Sequence, residues 1–581
     1  MRSRLGLCLL CVEVGAAVSF DLRDTLGRRH TSADLRESPA AVVFFLAPDC
    51  PLSTRYASEI RTLHAGYGPR GVRFYAVGDD RYPFPALVDP DHTIARAAGA
   101  SVTPEAAVFS PSGDLLYRGR IDDRVESFGR IRAQPRRRDL RLVLDRLLAG
   151  RRARFTEAPA IGCDLAPPRP DPAASVTFTR DVAPILYRHC ITCHRPGDAG
   201  PFPLLSWDDA RRRASVIARV TSQRYMPPWK PAPGHGRFQG ERTLTAAEID
   251  TLRRWGDGGA PEGDPAHLPS LPQFPEGWRL GAPDLVARMT APFPVPAEGG
   301  DLYHCFVVPL GLDRDRYLRA LEFQPSDRRL VHHALFFADP SGAARRRGPD
   351  YPCFGAPGFL PARGLGGWTP GMPPITLPAD AAIPLPKSAD LVLQLHLPVI
   401  GREGAEQSSV ALYFTDTPPT RRLLDVPLGS NAIDIPAGER AHKVRDGFTV
   451  PIDVDVLGVI PHAHYLCRDM KGAAVLPDGT RRSLLWIPDW DFNWQDQYRY
   501  EAPIRLPAGT RLEMEFTYDN SAQNPRNPNS PPRRVVWGPA STDEMAGLHF
   551  QVLPADMTEI QRLTQALWGR MMRALGGRVG P

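Results

Sequence analysis

Two histidines, His462 and His464, stand one residue apart in PHAHYLCRDM (461–470), directly after the apolar run DVDVLGVI. In a β-strand residues i and i+2 share a face, so both imidazoles could serve one metal ion. A pair of surface histidines at a strand end is the plain alternative. His332 and His333 in SDRRLVHHALFF, His396 in DLVLQLHLPVI and Met545 in SPPRRVVWGPASTDEMAGLHF could join them, though each is weak evidence alone. A regular strand cannot turn two adjacent side chains to one side, so His332 and His333 require a bulge or a strand end.

A second chemistry is written in HCITCHRPGDAGPFPL, where Cys190, Cys193 and His194 form the c-type haem attachment signature. Two thiols one helical turn apart can form thioethers to the haem vinyls, and the next histidine then lies under the iron. A zinc site would want a second cysteine pair, which is absent, and purely structural cysteines are the other alternative. Met226 in RYMPPWKP is the candidate sixth iron ligand, with His189 and His235 competing and core packing as its ordinary role. Met–His ligation raises the reduction potential and suits electron transfer.

A third candidate is Cys50, in AAVVFFLAPDCPLSTRYASEI, at the turn from an apolar strand into a helix. A helix N-terminus lowers a thiol's pKa, so Cys50 is expected to be reactive and to form mixed disulfides. Ser53 stands where a CxxC motif has its second cysteine, which rules out a dithiol cycle within the motif. Cys163 could resolve the mixed disulfide. A module retained only for docking is the alternative.

These groups need several scaffolds. The 581 residues are enough for several domains, and 42% apolar and 23% charged residues are those of an ordinary soluble protein. The net charge of +6 is almost all arginine, with only four lysines, and the densest basic stretch (129–154) has no interleaved aromatics. Nucleic-acid binding is therefore not expected. The start, MRSRLGLCLLCVEVGAAVSF, outlines a signal peptide over 1–18 despite Glu13 in its apolar core, which implies a periplasmic or secreted protein. No later stretch is apolar enough for a transmembrane span.

Strands alternating with helices predict an α/β domain over 19–165, with the turn PSGD joining two of its strands. The Pro-rich stretch 164–175 reads as a linker to a small all-α segment, 176–265. Thr245 and Glu248 have capping-box spacing ahead of its last helix, which Gly256 is expected to end. A second Pro-rich joint, 265–276, leads to alternating runs with Gly and Pro turns, predicting two antiparallel β-sandwiches over 277–435 and 436–565. A terminal amphipathic helix, MTEIQRLTQALWGRMMRALGG, is expected to pack on the body. Of nine cysteines, Cys8 and Cys11 would leave with the signal. Cys50, Cys163, Cys305, Cys353 and Cys467 leave disulfide connectivity open, with Cys305–Cys353 one possible pair.

The order HH, LQLH, HAH, DEM over about 277–560 resembles the copper type II ascorbate-dependent monooxygenases, the family of peptidylglycine α-hydroxylating and dopamine β-monooxygenase. The texture of DLYHCFVVPL, GWTPGMPPITLP and IPDWDFNWQDQYRY agrees. The resemblance implies two jelly-roll-like sandwiches facing across an open cleft and two copper ions. His332, His333 and His396 would hold one, and His462, His464 and Met545 the other. O2 would be activated at the Met-bearing copper to hydroxylate a small organic or peptide substrate. Most of the disulfide cysteines of the animal members are missing, and no residue matches their substrate-recognition groups. The 176–265 segment resembles single-haem cytochrome c domains of bacterial extracytoplasmic proteins. The first domain resembles thioredoxin-like redoxins, with Pro104 in SVTPEAAV at the cis-proline position. Together these imply copper (two ions), one covalent haem c, and electrons from that haem, from ascorbate or from a donor protein. Two rivals stand beside this reading: a non-enzymatic copper-binding, electron-transfer protein and a thiol-disulfide oxidoreductase.

Overall fold

The computed structural model describes residues 17–576 except 133, 152–154, 167–169, 172, 275–276, 298, 360–362 and 401–402. Cys8, Cys11 and almost all of the expected signal peptide lie outside the described residues, as does part of the 164–175 linker. The chain divides into two compact units, 1–125 with 135–167, and 126–134 with 168–581.

In the first unit the run Ala41–Phe45 is buried at every position, because it lies inside an eight-stranded mixed sheet. It runs parallel to Arg73–Val77 and antiparallel to Glu105–Phe109. The turn PSGD connects Glu105–Phe109 to Leu115–Gly119 as expected. Helices Pro51–Arg55 and Ala57–Tyr67 follow the central strand, which gives the unit its thioredoxin-like character. The short strand Cys163–Asp164 closes the unit by pairing with Val102–Thr103.

The second unit begins with the helical segment, packed around Trp255, Phe178, Leu186 and Leu252. Its last helix starts on the expected capping box. Thr245 Oγ1 accepts from the Glu248 N–H at 3.2 Å, and the Glu248 carboxylate accepts from the Thr245 N–H at 2.8 Å. The helix does not end at Gly256 but runs to Asp257, with Gly258 as its cap. Gly256 has a packing role instead: a Cβ there would lie 3.0 Å from the Ala214 carbonyl and from Ala218 Cβ on the neighbouring helix. No helix among the described residues is long and apolar enough to cross a membrane.

Two β-sandwiches follow. In the first, one sheet is ordered Leu285–Arg288, Ser409–Thr415, Arg316–Gln324, Ala381–Leu385, Arg421–Arg422. The facing sheet is ordered Asp350–Pro352, Leu302–Pro309, Asp390–Leu397, His333–Asp339, Arg363–Trp368. Their inner faces share a core that includes Phe323, Phe336, Leu393 and Val410. Cys305 and Cys353 form a disulfide beside that second sheet, while Cys467 is buried and free. In the second sandwich, Leu424–Gly429, Ala546–Pro554, Val454–Ala463 and Tyr498–Leu506 face His442–Thr449, Arg511–Tyr518, Cys467–Val475 and Arg481–Ile487. This sandwich takes in residues before 436, because Leu424–Gly429 pairs along the whole of its length with Ala546–Pro554.

The terminal helix Ile560–Gly576 packs on the second sandwich through Leu563, which is fully buried in its core, while Trp568 is 61% exposed. Leu563→Ala should therefore lower unfolding free energy by about 2–5 kcal/mol, the cost of a large core truncation. Trp568→Ala should stay within about 0.5 kcal/mol. Chemical denaturation of both variants checks the pair; equal effects would remove the helix from the core.

Candidate functional site

His333 opens the strand His333–Asp339 and pairs across the sheet with His396 on Asp390–Leu397. His332 lies just before the strand, so a strand end lets the adjacent pair converge, and its N–H donates to the His396 carbonyl at 2.9 Å. The ring centroids of His332 and His333 lie 4.7 and 4.9 Å from that of His396. One ring nitrogen from each of the three lies within 4.8 Å of the other two. Among the described residues this is the single group of three or more His, Cys, Asp or Glu side chains so gathered.

Burial disfavours charge on two of the three imidazoles. Burial, reinforced by repulsion from His396, pushes His332 down to about 4 and His333 well below the usual imidazole range. Neutral imidazoles keep the lone pairs that bind metals. His396 is oriented by Asp301, whose carboxylate lies 2.9 Å from Nε2, and by Tyr303, stacked on its ring at 4.3 Å. That assigns the proton to Nε2 and leaves Nδ1 buried without a hydrogen-bond partner. A histidine held by a carboxylate and presenting its other nitrogen is the common metal-site arrangement.

The opening pair belongs to the second sandwich. His462 and His464 continue one face at the end of Val454–Ala463, with ring centroids 5.3 Å apart. His462 Nδ1 lies 2.6 Å from Gln495 Oε1, and His464 Nδ1 lies 3.1 Å from the Asp543 carbonyl. Both rings therefore donate through Nδ1 and present Nε2, and His464 Nε2 is buried without a partner. Burial lowers the pKa of both, that of His462 to about 4. Met545 is placed by the pairing of Ala546 with Ala463, one residue short of His464. The buried Glu544 carboxylate ties this corner together, accepting from the N–H groups of His464 (2.9 Å), Leu466 (2.6 Å) and Met545 (3.1 Å). Burial raises its pKa to about 8, against the pull of these hydrogen bonds.

A cavity of about 930 Å³ joins the two sets, lined by His333 from the first sandwich and by His462 and Met545 from the second. Asp301, Tyr303, Gln495 and Glu544 are the residues that motif reading did not assign. Each lies in a stretch with a site signature, DLYHCF, IPDWDFNWQDQYRY or DEM, but its role needs the register to become visible.

Cys190 caps the helix Ala183–His189, and the next residues wind back on it, with the N–H groups of Cys193 and His194 on the Cys190 carbonyl. Both cysteines are free, and burial pushes the Cys190 thiol up to about 12. His194 Nδ1 lies 3.0 Å from the Phe202 carbonyl, which leaves Nε2 for a ligand. Of the competing histidines, His189 binds Glu248 through Nε2 and His235 binds Ser483 through Nδ1. Met226 is half-buried on the loop after Ala214–Ser222, with its N–H on the Val220 carbonyl.

Cys50 is not the accessible thiol expected of it. It is fully buried and disulfide-bonded to Cys163, with Cα atoms 6.2 Å apart. The reason is the pairing of Cys163 with Thr103, next to the cis Thr103–Pro104 bond, which brings the end of the unit over the turn that carries Cys50. Ser53, also buried, donates no second thiol; its hydroxyl accepts from the Ala47 N–H at 3.3 Å.

No protein-family model matches the chain, and no curated protein does. Solved structures match part of it. A hypothetical protein from Sinorhizobium meliloti 1021 is 26% identical, covering 26% of this chain and 92% of its own, with a TM-score of 0.24. An uncharacterized conserved protein from Geobacillus kaustophilus is 27% identical, covering 26% of this chain and 90% of its own, with a TM-score of 0.24. MTB dsbF, in mixed oxidized and reduced forms, is 24% identical and covers 16% and 80%, with a TM-score of 0.15. Thioredoxin and DsbE-type structures recur among these neighbours.

The buried disulfide predicts that Cys50 and Cys163 resist a maleimide in oxidised protein and both label after reduction. Peptide mapping by mass spectrometry checks this, and ready labelling of Cys50 without reductant would show an open thiol instead.

Proposed function

We propose that the chain is an extracytoplasmic copper-dependent oxidoreductase that hydroxylates an organic substrate. One oxygen atom of O2 enters a C–H bond, and the other leaves as water with two electrons and two protons from a reductant. What supports this reading is the three-histidine cluster on one sandwich and the His462, His464 and Met545 corner on the other, along a single cavity. The donor sets fit copper: three imidazoles on one side, and two imidazoles with a thioether on the other. Copper, when bound, would supply one-electron chemistry and O2 activation.

The chain's own residues do the rest. His332, His333 and His396 would hold one ion, with Asp301 keeping the His396 proton on Nε2. His462, His464 and Met545 would hold the other, their tautomers fixed by Gln495 and the Asp543 carbonyl. The cavity walls would hold the substrate C–H beside Met545. Cys190 and Cys193 would attach a haem c, and His194 Nε2 and Met226 are the groups that would hold its iron. That haem would be the electron store, with ascorbate or a donor protein as the outside source.

The Cys50–Cys163 disulfide, next to a cis-proline in a thioredoxin-like unit, favours a second reading in which the first unit is a thiol-disulfide oxidoreductase. Metal sites that serve electron transfer without turnover are the remaining rival. Reductant-driven O2 uptake with product formation separates the three. It should depend on Met545 and not on Cys50 under the monooxygenase reading and be absent under the other two, which Cys50-dependent disulfide exchange then tells apart.

Metal analysis gives the direct test. Wild-type protein should take up two copper ions per chain, and Met545→Ala or His462→Ala should remove one and spare the other. Preferential uptake of zinc under competition, or loss of both ions in His462→Ala, would count against two separate copper sites.

Haem attachment is checked independently, on protein matured in a haem-ligating compartment. One haem per chain should survive acid–acetone extraction, and Cys193→Ser should abolish or weaken its retention. Complete release from the denatured wild type would end the haem reading.

A further inference from the structure

The strand Val102–Thr103 lies outside the eight-stranded sheet of the first unit and makes a two-stranded sheet with Cys163–Asp164. The pairing is antiparallel and sets Cys163 opposite Thr103. The Leu165 N–H extends it by donating to the Ser101 carbonyl at 2.9 Å. Cys50 Sγ lies 3.1 Å from the Thr103 carbonyl, so an extended segment on this edge delivers its cysteine to Cys50. Here the segment is the chain's own, 161–165, and its cysteine is already bonded to Cys50.

Both sulfurs are buried, at 0% and 1% exposure, so no outside thiol reaches them while the segment stays in place. What holds it, besides the disulfide, is the short ladder, the Leu165 N–H and the packing of the half-buried Leu165 against the core. An incoming extended peptide can replace each of these backbone contacts in kind, as strand addition to a sheet edge does.

One position on the segment is far stricter than the rest. A Cβ on Gly162 would lie 2.3, 2.7 and 3.0 Å from the carbonyl oxygen, carbonyl carbon and nitrogen of Thr103. All three are backbone atoms of the strand that the segment pairs with, so no change of rotamer makes room. That strand is also held from its own side, where the buried Glu105 carboxylate accepts from the Ser101 N–H at 2.9 Å. The segment thus comes close enough to pair only because the residue before its cysteine has no side chain. Ile161 and Asp164, on either side, are half-buried and meet no such limit.

We infer that the Val102–Thr103 edge is an exchange site for extended cysteine peptides in which glycine directly precedes the cysteine, with segment 161–165 as its built-in occupant. This rests on the thiol-disulfide reading of the first unit and narrows its partners to that class. In the exchange, a partner's cysteine thiolate attacks Cys50 Sγ and a partner–Cys50 disulfide forms. Cys163 leaves with the electron pair and takes a proton from water. A second thiolate of the same partner then attacks the partner's sulfur in that bond, and Cys50 leaves and is protonated in turn. The partner dithiol is oxidised to a disulfide, and the Cys50–Cys163 pair is reduced.

The test uses Cys163→Ala protein, whose Cys50 has no internal partner, and two probe peptides, Ile-Gly-Cys-Asp-Leu and Ile-Ala-Cys-Asp-Leu. Each carries 5-thio-2-nitrobenzoate on its cysteine as a mixed disulfide. Cys50 attacks the peptide sulfur and thionitrobenzoate leaves, which its absorbance records. The tethered segment competes with both peptides alike, so the ratio of their rates reports the edge. The glycine peptide should react about tenfold or more faster, the scale of losing one or two ladder hydrogen bonds. In the otherwise natural chain, Gly162→Ala should open Cys50 to a maleimide without reductant. Equal rates for the two peptides, or a Gly162→Ala chain that stays disulfide-bonded and unlabelled, would overturn the inference and leave the thiol reading standing. A Cys50 that reacts with neither peptide removes both.

Discussion

The three-histidine cluster exists only while His333–Asp339 and Asp390–Leu397 keep the register that sets His333 opposite His396. The register is held from the other face of the sheet. Leu391, Leu393, Leu395 and Leu397 point into the sandwich core with Ala334, Phe336 and Ala338. Gln394 and His396 alternate with these leucines, as Leu335 and Phe337 continue the face of His333. A slip of one residue would turn an imidazole into the core and a leucine into the site. The apolar alternation that folds the sheet is thus the same constraint that assembles the ligands, and it costs nothing extra in specificity.

The second sandwich solves the same problem by a different route. Its histidines sit where the strand Val454–Ala463 runs out, so sheet pairing alone does not hold them. The buried Glu544 carboxylate replaces the missing ladder, collecting peptide N–H groups on both sides of His464. Tyr518 adds a hydrogen bond from its hydroxyl to the Met545 carbonyl at 2.8 Å. Backbone rather than side-chain contacts therefore position the thioether, which leaves its sulfur free for a metal. One set is held by a sheet and the other by a carboxylate-bound corner.

Much of this was legible in the sequence, because apolar alternation marks the strands and where they end. His462 and His464 share a face as a period-two reading places them, and the adjacent His332 and His333 converge at the strand end their pairing requires. Their supports were not legible in the same way. Asp301 and His396 are far apart in the chain, and only the antiparallel pairing of Leu302–Pro309 with Asp390–Leu397 brings them together. The same holds for Gln495 with His462 and for Cys50 with Cys163. Gly256 illustrates the opposite error: a glycine read as a helix stop is required within the helix by a close neighbour. Local signals report what a residue permits, and tertiary packing decides which permission is used.

The segment carrying Cys190, Cys193 and His194 shows where packing overrides an inference from chain length. A Pro-rich joint at 265–276 suggests a tethered donor whose approach is limited by linker reach. The structure instead stitches the following loop into the second sandwich. Ala232 and Gln239 donate to the carbonyls of Trp486 and Arg499 at 2.8 Å each, and Arg237 accepts from Glu501 at 2.9 Å. Phe238 is buried in that sandwich's core. Arg242 reaches the buried Asp496, which also accepts from Thr369 of the first sandwich, and Asp198 lies 3.5 Å from Arg328, shortly before His332. A Cβ on Gly371 would lie 3.2 Å from Cys193 Sγ, so the thiol itself abuts the first sandwich. An electron carrier held at these cysteines would therefore meet the ligand-bearing sandwiches through fixed contacts. Its coupling to them would be set by packed side chains and backbone, and linker length would hardly enter.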